Sequence, residues 1–423
     1  MLKRIACGLL ALIAALMFAD LIGRAIIPAF RPDKTDFSEL YASAWLWRHG
    51  ANPYDDDAAT EAQTRLVGCS VYLAPIYPLS TFVLVSPFTF LPWGWANFLW
   101  LLFGLCGVFA TVALLLRLRA SPHWEIRTAA LATFVITFDP LHQSFHLGNI
   151  ALFVVPLSFL ALLLAEMHMD WSAGFLLGLA TCLKPQLGVW ILAYYLLRKR
   201  LRICGSAICV ATVVAAALLL YPVPWMAVFH SYQANLHYWF APGRPYGFIQ
   251  GSLPFHVNIV QVIVYQIVGS VLVANLIAYS LFIAGVALWV VLLWRSGDSI
   301  PATLAIASLL ALSFLATYHS VSDAPVLLLA LCWAFPPAAP KRSRVWTLWK
   351  RLACLLFLGL MLPGHSILMR TTPRVPIWLT SAWWWNLFVA RYFVWLLLSL
   401  AVVLLMGMVA ESRKGSVTLA AES

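Results

Sequence analysis

Long apolar runs alternate with short polar segments along all 423 residues, and this alternation predicts the elements of the chain. One helical crossing of a bilayer core needs about 20 apolar residues, and roughly ten to twelve runs approach this length. The clearest predicted spans are residues 5–27, 93–116, 128–146, 150–167, 203–221, 275–294, 301–317, 323–336, 352–368 and 387–409. The pattern therefore predicts an all-α polytopic membrane protein.

Two further apolar segments are too short or too broken to be ordinary crossings. Prolines interrupt Tyr77–Leu91, and we expect a juxtamembrane helix on the external surface there, because a full crossing would place the following arginines outside. Residues 171–197 carry Lys184-Pro185 at their centre, and each half of this segment spans only about 20 Å as a helix. This favours a re-entrant or broken helix pair with Lys184 at its apex.

Basic residues give the predicted orientation. A net charge of +11 in a soluble protein would point to nucleic acid, but these lysines and arginines form short blocks between apolar runs, as cytoplasmic segments do. We therefore expect no nucleic-acid partner, both termini in the cytoplasm, and external loops at residues 28–92 and 222–256. The predicted domains are a main membrane module, residues 1–335, and C-terminal transmembrane helices with a short cytoplasmic tail, residues 336–423. The predicted location is an inner or plasma membrane, with the active surface outside and membrane lipids as partners.

The composition excludes a soluble globular protein, since 63% of the residues are hydrophobic and only 10% are charged. The eight cysteines lie almost all inside apolar runs and show no CxxC pair and no His/Cys spacing typical of zinc sites. His142 and His146 are one helical turn apart, which suits a metal, but only Asp139 accompanies them. We predict no metal and no cofactor.

The first external loop holds the densest acidic region of the chain, including Asp36 and Glu39 on a predicted helix. Residues three apart share a helix face, so each carboxylate should raise the pKa of the other. A carboxylate at the external mouth of the first helix can serve as a general base. The alternative is helix capping, with Asp36 as the cap and Glu39 at N3 or nearby.

Three other residues are candidates for binding. A lysine inside the membrane is costly and functional by default, which makes Lys184 a candidate phosphate ligand. Its alternative is a side chain that snorkels or pairs with a backbone carbonyl. His319 and Asp323 are four residues apart at a helix end, where they could orient a sugar or a phosphate, or form a structural hydrogen bond with each other. Aromatic residues of the second loop could stack on a sugar or anchor in the membrane interface.

Several short motifs follow one another in order along the chain. They are Asp36-Phe37, Tyr41-Ala42, Gly50 through Pro53-Tyr54, Tyr77-Pro78 with Pro87, Gly148-Asn149, Gly174 to Gly178 with Lys184-Pro185, and Tyr318-His319 with Asp323. Together they resemble glycosyltransferase family 87, the polyprenol-phosphate-mannose-dependent mannosyltransferase group with the GT-C membrane fold. The chain differs from the family pattern at Leu79, where a second proline is usual, and at Asn149, where glutamine is usual.

The resemblance implies a membrane glycosyltransferase of GT-C type, with residues 1–335 as its catalytic module. A polyprenyl-phosphate donor would pass mannose or another hexose to an acceptor hydroxyl of a glycolipid or glycan on the external face, in envelope glycolipid or polysaccharide synthesis. Asp36 would be the catalytic base. The expected substrate-binding residues are Lys184, Glu39, Tyr41, His319, Asp323, Asn149 and His146. The alternative is a transporter or flippase of a lipid-linked glycan, although the chain has no internal repeat of the kind that marks transporters.

Overall fold

Helices make up every regular element of the described structure. The computed structural model describes residues 2–23, 27–31, 35–69, 75–118, 126–220, 222–241, 259–297, 299–335, 344–362 and 364–422, and no strand occurs within these ranges. The α-helices are α1 (Leu2–Leu21), α2 (Asp36–Arg48), α3 (Asp56–Val67), α4 (Leu79–Val85), α5 (Trp93–Leu118), α6 (Ile126–Ile136), α7 (Asp139–His146), α8 (Ala151–Glu166), α9 (Asp170–Leu183), α10 (Pro185–Leu197), α11 (Leu201–Leu218), α12 (Trp225–Phe240), α13 (Val260–Val268), α14 (Val271–Ser296), α15 (Ala302–Ala316), α16 (Leu329–Ala334), α17 (Arg344–Met361), α18 (Gly364–Thr371), α19 (Ile377–Thr380) and α20 (Tyr392–Glu422). The predicted all-α class is confirmed.

Several helices have the length and composition of membrane spans. Within the part of the chain that the structure describes, four are long and apolar enough to cross, namely Trp93–Arg117, Leu201–Leu218, Val271–Ser296 and Tyr392–Arg413, and shorter apolar helices accompany them. On α14, apolar side chains such as Leu272 and Ile283 are mostly exposed, as expected for a helix that faces lipid. The chain is a multi-pass membrane protein, and the expected number of crossings stays a prediction.

Two predicted spans are divided differently in the structure. The prediction of a single span over residues 128–146 is wrong, because α6 ends at Ile136 and α7 begins at Asp139. Pro140 lacks an N–H and has a fixed φ, so it fits the first turn of a new helix better than a helix interior. The span predicted at 352–368 is likewise divided between α17 and α18. The residues predicted to form a short cytoplasmic tail continue α20 as far as Glu422, and their cytoplasmic location stays a prediction.

The chain divides into two compact units. Unit 1 contains residues 1–114 and 141–244, and unit 2 contains residues 115–140 and 245–423. In unit 1, α9 packs against α8 and α11, and α2 packs against α3 and α4. In unit 2, α20 packs against α14, α15 and α17. The predicted boundary at residue 335 follows a different division and stays a prediction.

The helices α9 and α10 form a hairpin in unit 1 that turns at Lys184. The proline after Lys184 starts α10, and because it has no N–H the first helix cannot continue through it. A Cβ on Gly188 would lie 2.2 Å from Thr181 Oγ1, so the two helices touch close to the turn. At the open end, Arg200 forms an ion pair with Asp170. The predicted broken pair with Lys184 at its apex is confirmed.

Candidate functional site

The start of α2 is capped by residues other than the two predicted acids. Thr35 is the N-cap, and its hydroxyl accepts a hydrogen bond from the Ser38 N–H at 3.2 Å. The Thr35 N–H in turn donates to the Ser38 hydroxyl at 3.2 Å, which completes a capping box. The alternative that Asp36 and Glu39 cap this helix is therefore wrong.

The turn between α7 and α8 lies against the start of α2. The Asp36 N–H donates to the Leu147 carbonyl at 2.8 Å, and the Trp100 indole N–H donates to the Gly148 carbonyl at 2.8 Å. Gly148 has a φ of +60°, and a Cβ on it would lie 3.1 Å from Phe37 Cβ. The left-handed backbone and this close approach both favour glycine. Gly148 thus sets the residue that follows it beside α2.

Asn149 joins a carboxylate to an ammonium group. Its Nδ2 donates to Asp36 Oδ2 at 2.5 Å. Its Oδ1 accepts from the Ala151 N–H at 2.9 Å and from Lys184 Nζ at 3.4 Å. Because the amide donates on one side and accepts on the other, its partners determine its orientation. The structure therefore brings together three predicted residues from distant parts of the sequence, which we call the Asp36–Asn149–Lys184 cluster.

Hydroxyl groups of α4 support the backbone that carries Lys184. The lysine is only 5% exposed, and it follows the end of α9, where the last carbonyls have no helical N–H partner. Ser80 Oγ donates to the Cys182 carbonyl at 2.7 Å, and Thr81 Oγ1 donates to the Leu183 carbonyl at 2.9 Å. The short segment predicted to lie at the membrane interface therefore holds the apex of the hairpin.

Glu39 is a buried carboxylic acid next to the cluster. It is 7% exposed, and burial, followed by the charge of Asp36, raises the pKa of Glu39 well above its ordinary value of 4.5, while a hydrogen bond from the Ile76 backbone opposes the rise. Within the described residues, Glu39 Oε1 has no hydrogen-bond partner. Burial therefore favours a neutral Glu39 beside the Asp36 carboxylate.

Tyr41 and His146 also lie in unit 1. The Tyr41 hydroxyl donates to the Leu91 carbonyl at 2.7 Å, which ties α2 to the segment that follows α4. His146 is exposed at the end of α7, one residue before the carbonyl that accepts from the Asp36 N–H. No group of three or more His, Cys, Asp or Glu side chains in the described part of the chain is arranged to hold a metal ion. The binding roles of Tyr41 and His146 stay predictions.

His319 and Asp323 form a buried pair in unit 2. Their side chains are 0% and 1% exposed, and His319 Nδ1 lies 3.4 Å from Asp323 Oδ2. His319 Nε2 lies 3.0 Å from Thr317 Oγ1, and the imidazole stacks on Phe314 with ring centroids 4.1 Å apart. The two side chains lie within ion-pair distance of each other, and both the hydrogen bond between them and the role in substrate binding stay predictions.

Sequence spacing did not predict a contact between the two loops that are predicted to be external. Asn235 on α12 donates from Nδ2 to the carbonyls of Tyr54 and Pro75, both at 3.1 Å. The ring of Tyr232, one turn earlier, lies 4.9 Å from the ring of Tyr54. The signal in the sequence is one amide within an aromatic helix, which does not identify partners so far away along the chain.

The central part of the sequence is similar to a known protein family. The model of glycosyltransferase family 87 matches residues 76–317, more than half of the 423 residues. Among solved structures, the crystal structure of ArnT from Cupriavidus metallidurans in the apo state is similar at 14% identity and a TM-score of 0.34, over 93% of this chain and 76% of that chain. No curated protein matches the sequence. Asn149 and Lys184 fall inside the matched range, whereas Asp36 precedes it.

Proposed function

Because the chain belongs to glycosyltransferase family 87, we propose that it transfers mannose or another hexose from a polyprenyl-phosphate donor to an acceptor hydroxyl at the external membrane face. Family membership makes the protein a membrane glycosyltransferase, and the donor, the sugar and the acceptor are the proposal. The observation that carries it is the Asp36–Asn149–Lys184 cluster, in which one amide holds a carboxylate and an ammonium group.

The cluster contains the groups that this transfer needs. The reaction breaks the bond between the anomeric carbon and a phosphate oxygen, and it joins that carbon to the acceptor oxygen. The acceptor hydroxyl must lose a proton, and the departing polyprenyl phosphate carries negative charge that needs a cation. Asp36 would accept the proton and Lys184 would stabilise the phosphate. A single displacement would invert the anomeric centre.

Glu39 supports this division of roles. A neutral carboxylic acid keeps an O–H donor, whereas an ionised one only accepts. Glu39 is buried next to Asp36, and burial favours its neutral form, so it is suited to donate a hydrogen bond to a sugar hydroxyl. We assign Asp36 as the base and Glu39 as a substrate-binding residue. Further contacts to donor and acceptor within the same unit would come from Tyr41 and His146.

The test is a panel of polyprenyl-phosphate sugars offered to the purified full chain in lipid nanodiscs, with glycolipid and glycan acceptors. We expect one donor to release polyprenyl phosphate only when an acceptor is present. Lys184→Gln should weaken donor binding strongly, and Lys184→Arg should retain part of it. If labelled lipid-linked sugar crosses the bilayer without cleavage, the protein is a flippase and the proposal is wrong.

A further inference from the structure

Unit 2 contains a buried arginine that the proposed transfer reaction does not use. Arg391 is 7% exposed, and its Nε and Nη1 atoms have no hydrogen-bond partner within the described residues. Taking a guanidinium out of water without a counter-charge costs several kcal/mol. Buried charges of this kind in membrane proteins generally mark a binding function.

The surroundings of Arg391 favour an anion. The residue immediately precedes α20, and the first turn of a long helix carries partial positive charge. Leu387 and Val394, on either side of Arg391 in sequence, pack with Ile263 of α13 and form an apolar wall. A low dielectric at this wall strengthens the attraction between a guanidinium and an anion.

Two carboxylates of unit 2 make their described contacts away from Arg391. Glu411 lies on α20, about 30 Å further along the helix axis from Arg391, where it accepts a hydrogen bond from the Trp333 indole N–H at 3.1 Å. Asp323 lies 3.4 Å from His319 and accepts from the Ser320 N–H at 3.3 Å. The anion that balances Arg391 is therefore to be sought in a ligand.

The position of Arg391 along α20 indicates which anion fits. The apolar span Tyr392–Arg413 begins directly after it, so Arg391 lies at the level where a bilayer changes from hydrocarbon to headgroups. Phosphate is the anion of lipids at that level, and a guanidinium binds phosphate through two parallel N–H donors. We propose that Arg391 binds the phosphate group of a membrane lipid, either a phospholipid headgroup or a polyprenyl phosphate.

The full chain in a maltoside detergent free of phosphate provides the test. The Tm, followed by tryptophan fluorescence, is titrated with phosphatidylglycerol, with a polyprenyl phosphate, with inorganic phosphate, and with diacylglycerol as a lipid that has tails but no phosphate. The variants are Arg391→Met, Arg391→Lys and, as a matched control, Arg374→Met at an exposed arginine in the same unit.

Without phosphate, Arg391→Met should melt at or above the wild-type Tm, because it removes an uncompensated charge. With a phosphate lipid, the wild-type Tm should rise, and the midpoint concentration should be about tenfold to a hundredfold higher for Arg391→Met, with Arg391→Lys between them. Arg374→Met should behave as the wild type.

The four probes distinguish the possible sources of the phosphate. Equal responses to both phosphate lipids would identify a headgroup site, and a response to polyprenyl phosphate alone would identify a carrier-lipid site. If inorganic phosphate acts as strongly as the lipids, the lipid part of the proposal is wrong. If diacylglycerol raises the Tm equally, or if Arg391→Met responds as the wild type does, Arg391 binds no phosphate. None of these outcomes depends on glycosyl transfer.

Discussion

Asn149 serves two charged neighbours with one side chain. Its amide donates to Asp36 and accepts from Lys184, so neither hydrogen bond can be reversed. A glutamine, the residue usual in the family at this position, carries the same donor and acceptor on one more methylene. The chain therefore keeps the amide chemistry with a shorter reach.

Replacing Asp36 by asparagine should remove the general base while keeping the shape of the side chain. General-base catalysis contributes a factor of about 10² to 10⁴ in rate, and we expect turnover to fall by that order. Donor binding should persist, because Lys184 is unchanged. The measurement is the rate of polyprenyl phosphate release, together with donor affinity from a binding titration.

An exposed acid and the alternative base serve as comparisons for this substitution. Asp57→Asn at an exposed position of α3 should leave turnover near the wild-type value. Normal turnover in Asp36→Asn together with its loss in Glu39→Gln would show that the base is Glu39 and that our assignment is reversed.

Glu39 should make the stability of the folded chain fall as the pH rises. Burial and the Asp36 charge raise the pKa of Glu39 well above 4.5 in the folded state. Between the ordinary and the raised pKa, the folded chain holds a proton that the unfolded chain has released, so stability falls by up to about 1.4 kcal/mol per pH unit. Glu39→Gln removes this dependence. The fall in Tm from about pH 5 to about pH 8 should be smaller for the variant, and equal falls would contradict the assignment.

The sequence predicted the charged residues Asp36 and Lys184 as site candidates, but it did not predict that Asn149 lies between them. Lys184 stands out because a charge in an apolar segment is costly, and Asp36 because it has an acidic neighbour three residues away. An asparagine in a turn costs little free energy, so its energetic cost gives no reason to single out Asn149. Its role depends on the turn at Gly148, which brings residues 113 and 35 positions away within hydrogen-bond distance.

The α9–α10 hairpin depends on a close contact at Gly188, and Gly188→Ala tests it. The added Cβ would lie 2.2 Å from Thr181 Oγ1 and 2.8 Å from Thr181 Cα, so the helices must separate. Overpacking of this kind costs about 1–3 kcal/mol, and the shift moves the Lys184 backbone. We expect a lower Tm and weaker donor binding.

Gly205→Ala on α11 is the matched control, because its Cβ would meet nothing within 4 Å. Alanine favours a helix interior over glycine by about 0.5–1 kcal/mol, so this variant should be as stable as the wild type or more stable. If both glycine variants bind donor equally well, the close contact does not position Lys184.

The apolar content of the sequence predicted the positions of the helices better than it predicted the breaks between them. Lys184-Pro185 was recognisable as a break, because the segment around it is too short for two crossings. The break between α6 and α7 was not, because residues 128–146 contain enough apolar residues for one span. The contacts that stabilise a broken helix lie outside its own sequence, so hydropathy alone does not reveal them.

At the scale of the whole molecule, the charge pattern predicts orientation, and cysteine labelling can measure it. In a variant without the eight native cysteines, single cysteines at Ser70 and Gly243 should react with an impermeant maleimide in intact cells. A cysteine at Ser343 should react only after permeabilisation, because the surrounding lysines and arginines favour the cytoplasm. Labelling of position 343 from outside would overturn the predicted orientation.

The two compact units show what a linear reading of the chain omits. Each unit is assembled from two separate stretches of sequence. Hydropathy and charge are properties of one segment at a time, whereas the units arise from contacts between distant segments. The predicted division at residue 335 was based on the extent of the family resemblance along the sequence, and it stays a prediction.

The link between α4 and the end of α9 has a consequence for synthesis of the protein. The hydroxyl of Ser80 and the carbonyl that it binds are 102 residues apart. At about 5–20 residues per second, a ribosome needs about 5–20 s to supply that partner. During this interval the apolar segment around α4 has no hairpin to hold, and the predicted orientation requires that this segment is not inserted as a crossing. On that predicted orientation, the hydroxyls of the segment act twice, first by making its insertion less favourable and later by binding the hairpin.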